Sequence, residues 1–302
     1  MVDKERVDGM KRLTKETVIG FIGTGVMGKS MAGHILEAGF PLVIYNRTKH
    51  KASDLIDRGA KWADTPKDLA EASDLVITIV GYPSDVEELY LGEDGILHHL
   101  RQGSVAIDMT TSSPALADAI FKSGKEKGIS TLDAPVSGGD IGAKEARLSI
   151  MVGGEENTFN LAKPLLELLG TNVVYQGKPG AGQHTKMCNQ ITIASNMMGV
   201  SEALLYAKKS GLDPDTVLKS ITSGAAGSWS LSNLVPRMIE QDYAPGFYVK
   251  HFIKDLKIAL HSAKEMELRT PGLELALSLY EQLAAEGEEN SGTQALIKLL
   301  EA

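Results

Sequence analysis

Residues 23–28 read Gly-Thr-Gly-Val-Met-Gly, and this hexapeptide restricts the fold more than any other stretch. It follows an apolar, β-rich run, Thr17 to Ile22, and opens a segment of helical periodicity from about Val26 to Glu37. Strand, glycine turn and helix in that order begin a βαβ unit. The first glycine allows a tight turn. The second lets backbone approach a pyrophosphate, and the third lets the helix pack on the strand with its N-terminus facing the phosphates. The spacing alone is a weak signal, and the strand–turn–helix setting makes it a strong one. Gly23, Thr24, Gly25, Val26, Met27 and Gly28 are therefore expected dinucleotide contacts.

The rest of the first half continues the alternation. Runs at Pro41–Tyr45, Asp74–Val80, Ser104–Asp108, Ser130–Asp133, Ser149–Val152 and Asn172–Tyr175 read as strands, with helical patterns such as Pro114–Lys127 between them. That texture predicts an α/β, doubly wound, mostly parallel sheet covered on both faces. After Gly177, Gly180 and Gly182 the texture changes. A long helix is expected over 183–210, with an apolar band wide enough for burial between domains or subunits. Gly211 and Pro214 stop it, and further helices follow, including His251–Leu268 and Pro271–Ala285. The expected layout is an N-terminal extension at 1–16, a dinucleotide-binding domain at 17–179 and an all-helical domain at 180–302.

Composition narrows the function classes. The chain has 302 residues, enough for two domains, and a net charge of −8, which argues against nucleic acid as a partner. A single cysteine, Cys188, excludes an internal disulfide and a Cys-rich zinc site and fits a reducing compartment. Cys188 itself reads as a small buried hydrophobe. No apolar run approaches a membrane span and the N-terminus lacks a secretion signal, so a cytoplasmic protein is expected. No metal is implied.

The second strand leads into Asn46-Arg47-Thr48. A chain that binds NAD usually carries an acidic residue there, accepting from the ribose hydroxyls. Here Arg47 can fork onto a 2′-phosphate, Thr48 adds a hydroxyl, and no carboxylate is expected at this spot to repel the phosphate. The expected cofactor is NADP(H), with NAD(H) as the alternative, and Asn46, Arg47 and Thr48 are its expected contacts.

Three further segments bear chemistry. Asp133-Ala-Pro-Val-Ser137-Gly138-Gly139 closes a strand with a serine and two glycines, whose exposed amides can receive a carboxylate. Lys186 lies near the head of the long helix, with Asn189 and Gln190 three and four positions on, so at least one amide shares its face. Lys254-Asp255 falls on a later helix. With the glycine turn, these residues resemble the β-hydroxyacid dehydrogenase family, over nearly the whole chain from about Thr17 and with the motifs in the expected order.

That resemblance implies a Rossmann-type domain joined through one long helix to an all-α domain. It implies Lys186 as the catalytic lysine, Ser137, Gly138 and Gly139 as the loop for a substrate carboxylate, and Lys254, with Asp255 beside it, near the nicotinamide. Trp229 matches a pocket-lining aromatic, although plain core packing is the other reading. Val80, Gly81 and Thr111 match cofactor contacts at strand ends. The family usually has asparagine four residues past the lysine, where this chain has Gln190. The implied reaction exchanges hydride with a small β-hydroxy acid or its semialdehyde, while Lys186 moves the proton. A lysine near 10.4 must be helped to neutrality, by burial and by a nearby cation such as Lys254. A homodimer or homotetramer is expected. The alternatives are a catalytically silent dinucleotide-binding scaffold and a decarboxylating enzyme like 6-phosphogluconate dehydrogenase. The second needs a longer chain and a His-Asn pair after the lysine, which Cys188-Asn189-Gln190 does not supply.

Overall fold

A computed structural model describes residues 13–301 and the backbone pairing of 6–7 with 10–11, a short antiparallel ribbon of β1 (Arg6–Val7) and β2 (Met10–Lys11). Of the expected extension at 1–16, residues 1–5, 8, 9 and 12 lie outside the described residues. The chain divides into two compact units, the first ending at Lys186 and the second starting at Met187.

The first unit is a twisted α/β sheet. Its strands are β3 (Ile19–Ile22), β4 (Leu42–Tyr45), β5 (Lys61–Trp62), β6 (Leu75–Thr78), β7 (Val105–Asp108), β8 (Ser130–Asp133), β9 (Val136–Ser137), β10 (Ser149–Gly154) and β11 (Asn172–Gly177). Their order is β11-β10-β8-β7-β6-β3-β4-β5, with β9 paired to β10. From β5 to β8 every neighbouring pair is parallel. The sheet winds both ways from β3, so the order reverses between β4 and β6. Strands β3, β6 and β7 are buried throughout, as parallel strands covered on both faces are.

The far edge departs from the parallel rule. β10 runs antiparallel to β8 and to β9, and β11 runs parallel to β10. Neither β5 nor β9 stands apart as a strand in the sequence pattern. Each is two residues long, too short to show a period of two.

The connecting helices are α1 (Gly28–Glu37), α2 (Ser53–Asp57), α3 (Pro66–Ala72), α4 (Pro83–Leu91), α5 (Pro114–Glu126), α6 (Gly139–Lys144) and α7 (Glu156–Leu166). Local chemistry sets their starts. Thr65 accepts from the Asp68 amide ahead of Pro66, and Ser113 from the Leu116 amide ahead of Pro114, the arrangement that satisfies orphan amides in a first turn.

Helix α8 (Ala181–Lys209) begins in the first unit and continues into the second. The second unit adds α9 (Pro214–Ile221), α10 (Trp229–Asn233), α11 (Val235–Ile239), α12 (Val249–Glu265), α13 (Pro271–Leu283) and α14 (Leu296–Glu301). Met197, Leu204, Phe252, Leu256, Tyr280 and Leu296 share its core. The wide apolar band read along the long helix resolves into two faces. Met187, Ala194, Met197, Val200 and Leu204 are buried, whereas Cys188, Thr192, Ser195, Gly199 and Tyr206 are exposed. Cys188 thus corrects the expectation of a buried thiol: it falls one turn from exposed His184 and Thr192, on the face turned away from the core. Among the described residues no helix is long and apolar enough to cross a membrane.

Candidate active site

The turn after β3 is shaped for close backbone approach. Gly23 has φ +100°. A Cβ there would collide with the Ile79 carbonyl oxygen, and one on Gly28 with the Gly23 carbonyl oxygen. Gly25 differs, since nothing lies within 4 Å of where its Cβ would stand. The Thr24 amide donates to Asn46 Oδ1 at 3.1 Å, while the Thr24 hydroxyl is buried without a hydrogen-bond partner. An open cradle over one glycine, beside an orphaned buried hydroxyl, fits the phosphates of a dinucleotide.

Parallel pairing brings the other candidates to the same edge of the sheet. Ile22 is in register with Tyr45 and Thr78, Thr78 with Asp108, and Asp108 with Asp133. The glycine turn, Asn46 to Thr48, Val80 and Gly81, and Thr111 therefore all leave the carboxyl ends of adjacent strands, around the point where strand order reverses. Such crevices are where open α/β sheets bind ligands. Val80 donates its amide to Thr110 Oγ1 at 3.0 Å, and Asn46 Nδ2 donates to the Thr48 carbonyl at 2.9 Å. Asn46 thus ties the glycine turn to the loop after β4, with Oδ1 on Thr24 and Nδ2 on Thr48 of its own loop, a role its position in sequence did not disclose.

Arg47 corrects one reading. Its side chain is 77% exposed, but Nη1 lies 3.3 Å from Asp85 Oδ1. A carboxylate does stand at this place, delivered from 38 residues away by the first turn of α4. Val26 is exposed and Met27 half-buried at the mouth of the turn.

Polar groups at the ends of β6, β7 and β8 form a buried network. Thr78 Oγ1 donates to Asp108 Oδ1 at 2.9 Å and sits 3.0 Å from the Tyr90 hydroxyl, and the Thr110 amide donates to the same Asp108 oxygen at 3.1 Å. Burial first, and then the Asp108 charge, push the Tyr90 phenol well above its ordinary range against the Thr78 hydrogen bond. Asp133 receives the amides of Gly180 and Gln183, each at 2.8 Å. Burial pushes its carboxyl up to about 6 against those hydrogen bonds, with the Asp108 charge adding to the rise. Gln183, fully buried, donates from Nε2 to the Thr110 carbonyl at 2.8 Å and accepts from the Ser112 amide at 2.9 Å.

These bonds seat the first turn of α8 on the carboxyl ends of β7 and β8. Close packing completes the seat: a Cβ on Gly182 would collide with the Met151 carbonyl oxygen, and one on Gly153 would crowd Asp133 Oδ1 and the Gly182 amide. Lys186 follows one turn from the helix start and is only 6% exposed. Sequence reasoning gave no role to Asp133 or Gln183. The one available sign was an acidic residue ending a strand ahead of a glycine-rich helix start, a pattern too common to single out.

Of the expected substrate loop, Ser137 ends β9 and is half-buried, while Gly138 and Gly139 take φ +132° and +65° ahead of α6. In the second unit, Asn189 Nδ2 donates to Gln190 Oε1 at 2.8 Å, and Gln190 Nε2 donates to Asp255 Oδ2. Lys254 Nζ stands 2.9 Å from Asp255 Oδ1, an ion pair off the hydrogen-bonding direction, since that oxygen lacks an aligned donor. Asp255 is 1% exposed and holds the side chains of Gln190 and Lys254. Lys254, with its side chain 12% exposed, carries a carboxylate beside its ammonium, which reduces its field as a lone cation. Burial, then the charges of Lys254 and Lys250, hold the neighbouring His251 below its ordinary range despite Asp255. Trp229 is 66% exposed at the start of α10, so it is not core packing.

A glycine cradle at the switch point of a doubly wound sheet defines a dinucleotide-binding protein. Residues 18–177 match the family described as the NAD binding domain of 6-phosphogluconate dehydrogenase, and residues 180–300 the one described as NAD-binding of NADP-dependent 3-hydroxyisobutyrate dehydrogenase. The chain belongs to the β-hydroxyacid dehydrogenase family. It is 61% identical to an uncharacterized oxidoreductase of Bacillus subtilis, YkwC, over 93% of this chain and 98% of that one. It is 40% identical to 2-hydroxy-3-oxopropionate reductase of Escherichia coli, over 94% and 97%. The structure of Mycobacterium tuberculosis 3-hydroxyisobutyrate dehydrogenase with L-serine superposes with a TM-score of 0.88 at 29% identity, covering 95% of this chain and all of that one.

Proposed function

We propose that the chain interconverts a small β-hydroxy acid and the corresponding semialdehyde, with NADP(H) preferred over NAD(H) and Lys186 as the proton-transfer residue. The observation that carries this reading is the seating of α8. Asp133 and Gln183 tie its first turn to the edge of the sheet from which the glycine turn also leaves, and Lys186 follows within one turn, buried.

The proposed division of labour starts with the cofactor. The backbone of Gly23 to Gly28 cradles its phosphates, and the Thr24 hydroxyl, Val80–Gly81 and Thr111 line its course. Arg47 and Thr48 face the 2′-phosphate, the reason for preferring NADP(H). A bound nicotinamide supplies the hydride exchange. Lys186 Nζ accepts the hydroxyl proton in the oxidative direction and returns it to the carbonyl oxygen in the reductive one. Ser137 Oγ and the amides of Gly138 and Gly139 receive the substrate carboxylate. Asn189 and Gln190, a turn beyond Lys186 on the same helix, offer amides to orient the hydroxyl, and Gln190 is held for this by Asp255. The resemblance assigns Lys254 to the nicotinamide and Trp229 to the substrate pocket. Relatives named for 2-hydroxy-3-oxopropionate and for 3-hydroxyisobutyrate support small hydroxy acids as the substrate class.

The test is consumption of NADPH with a panel of three- and four-carbon semialdehydes, for the wild type and for Lys186→Ala. The variant is expected to lose at least about 10²-fold in kcat with little change in cofactor Kd, the scale of general acid–base loss. A near-normal kcat removes Lys186 from the mechanism. Tight NADPH binding without turnover on any substrate of the panel overturns the substrate class.

A further inference from the structure

Among the described residues, Asp85 is the acidic group paired with Arg47. Its two oxygens have separate tasks. Oδ2 accepts the Tyr82 amide at 3.0 Å, which fixes the carboxylate in the first turn of α4, and Oδ1 lies 3.3 Å from the Arg47 guanidinium. The carboxylate is 24% exposed while the arginine is 77% exposed. The anchored partner is therefore the acid and the movable one the arginine. Gly81 leaves room for the group, since a Cβ there would stand 3.2 Å from Asp85 Oδ2. Segments following β4 and β6 thus converge on one carboxylate at the edge where the cofactor is read.

We propose that Asp85 is a second determinant of cofactor choice, an internal counter-ion that holds Arg47 and competes with a 2′-phosphate for it. This rests on the reading that Arg47 faces that phosphate. A phosphate carrying close to two negative charges must share the guanidinium with a fixed carboxylate that already engages part of its charge and its donors. A dinucleotide with a free 2′-hydroxyl brings no such charge and leaves the Arg47–Asp85 pair intact. The pair therefore narrows the preference for NADP(H) and keeps NAD(H) usable.

The experiment is calorimetric titration of NADPH and NADH into the full chain as wild type, Asp85→Asn, Arg47→Gln and the double variant. Asparagine retains an oxygen for the Tyr82 amide, and Asp85→Ser serves as a second variant that keeps an acceptor on a shorter arm. Asp85→Asn is expected to bind NADPH about three- to tenfold tighter, with NADH within about twofold. Arg47→Gln is expected to weaken NADPH at least about tenfold and leave NADH nearly unchanged. In the Arg47→Gln background the Asp85 substitution is expected to change NADPH binding by less than about twofold. An unchanged NADPH affinity in both Asp85 variants, or an equal gain with and without Arg47, overturns the inference while the Arg47 reading stands. An Arg47→Gln variant that keeps its NADPH affinity overturns the Arg47 reading, and the inference with it.

Discussion

The three glycines of the hexapeptide look interchangeable in sequence and are not so in space. Gly28 packs against the Gly23 carbonyl, whereas the position above Gly25 is open. Gly28→Ala is therefore expected to cost about 1–3 kcal/mol in urea unfolding, because a methyl is forced into packed backbone. Gly25→Ala is expected to leave stability within about 0.5 kcal/mol and to weaken cofactor binding, since its methyl occupies only the open cradle. A Gly25→Ala protein that binds both dinucleotides normally would show that the phosphates lie elsewhere. The spacing of these glycines was legible because backbone conformation is a local property. The partners of Asn46, Arg47 and Gln190 were not, because Thr24, Asp85 and Asp255 lie 22, 38 and 65 residues away.

Helix α8 shows how an element is positioned by groups outside it. Its apolar residues and its stop at Gly211 were readable, and the element runs over Ala181–Lys209 where 183–210 was expected. What fixes its start is Asp133, a carboxyl held at about 6 by burial. The linkage has a definite sign. The native pKa lies above the unfolded value near 3.9, so the group's contribution to stability is full below about pH 4 and is lost as pH rises through about 6. Between pH 4.5 and 7.5 the stability of the wild type, relative to Asp133→Asn, is expected to fall by about 2 kcal/mol in urea titrations. A difference that is flat or rises with pH would falsify the assignment of this titration to Asp133. The same variant loses one of the two acceptors that seat Gly180 and Gln183, so a reduced kcat is expected to accompany it.

Over the whole molecule the two units have separate cores: the first unit has two clusters, one including Phe21 and Ile77 and one including Ile22 and Val76, and the second unit has one around Phe252 and Tyr280. The proposed cofactor contacts at the sheet edge belong to the first unit. Ligand binding to the folded state stabilises it by mass action, about 2.7 kcal/mol at a hundred times Kd. Thermal unfolding is therefore expected to shift upward with either dinucleotide. Arg47→Asp is expected to lose most of the shift caused by NADPH and to keep that caused by NADH. Equal loss of both shifts would separate Arg47 from the 2′-phosphate.

By itself the sequence determined the class of fold, the place of the glycine turn, the long helix and the family resemblance. Those follow from residue spacing, apolar periodicity and the conformational range of glycine, all expressed within a few turns of chain. Tertiary structure alone decided that β10 reverses direction beside β8, that Cys188 faces outward and that Asp85 shares Arg47. It also decided that Asp133 seats the helix bearing Lys186. Each of these depends on which distant groups are packed together, and burial and charge act through space without regard to chain order.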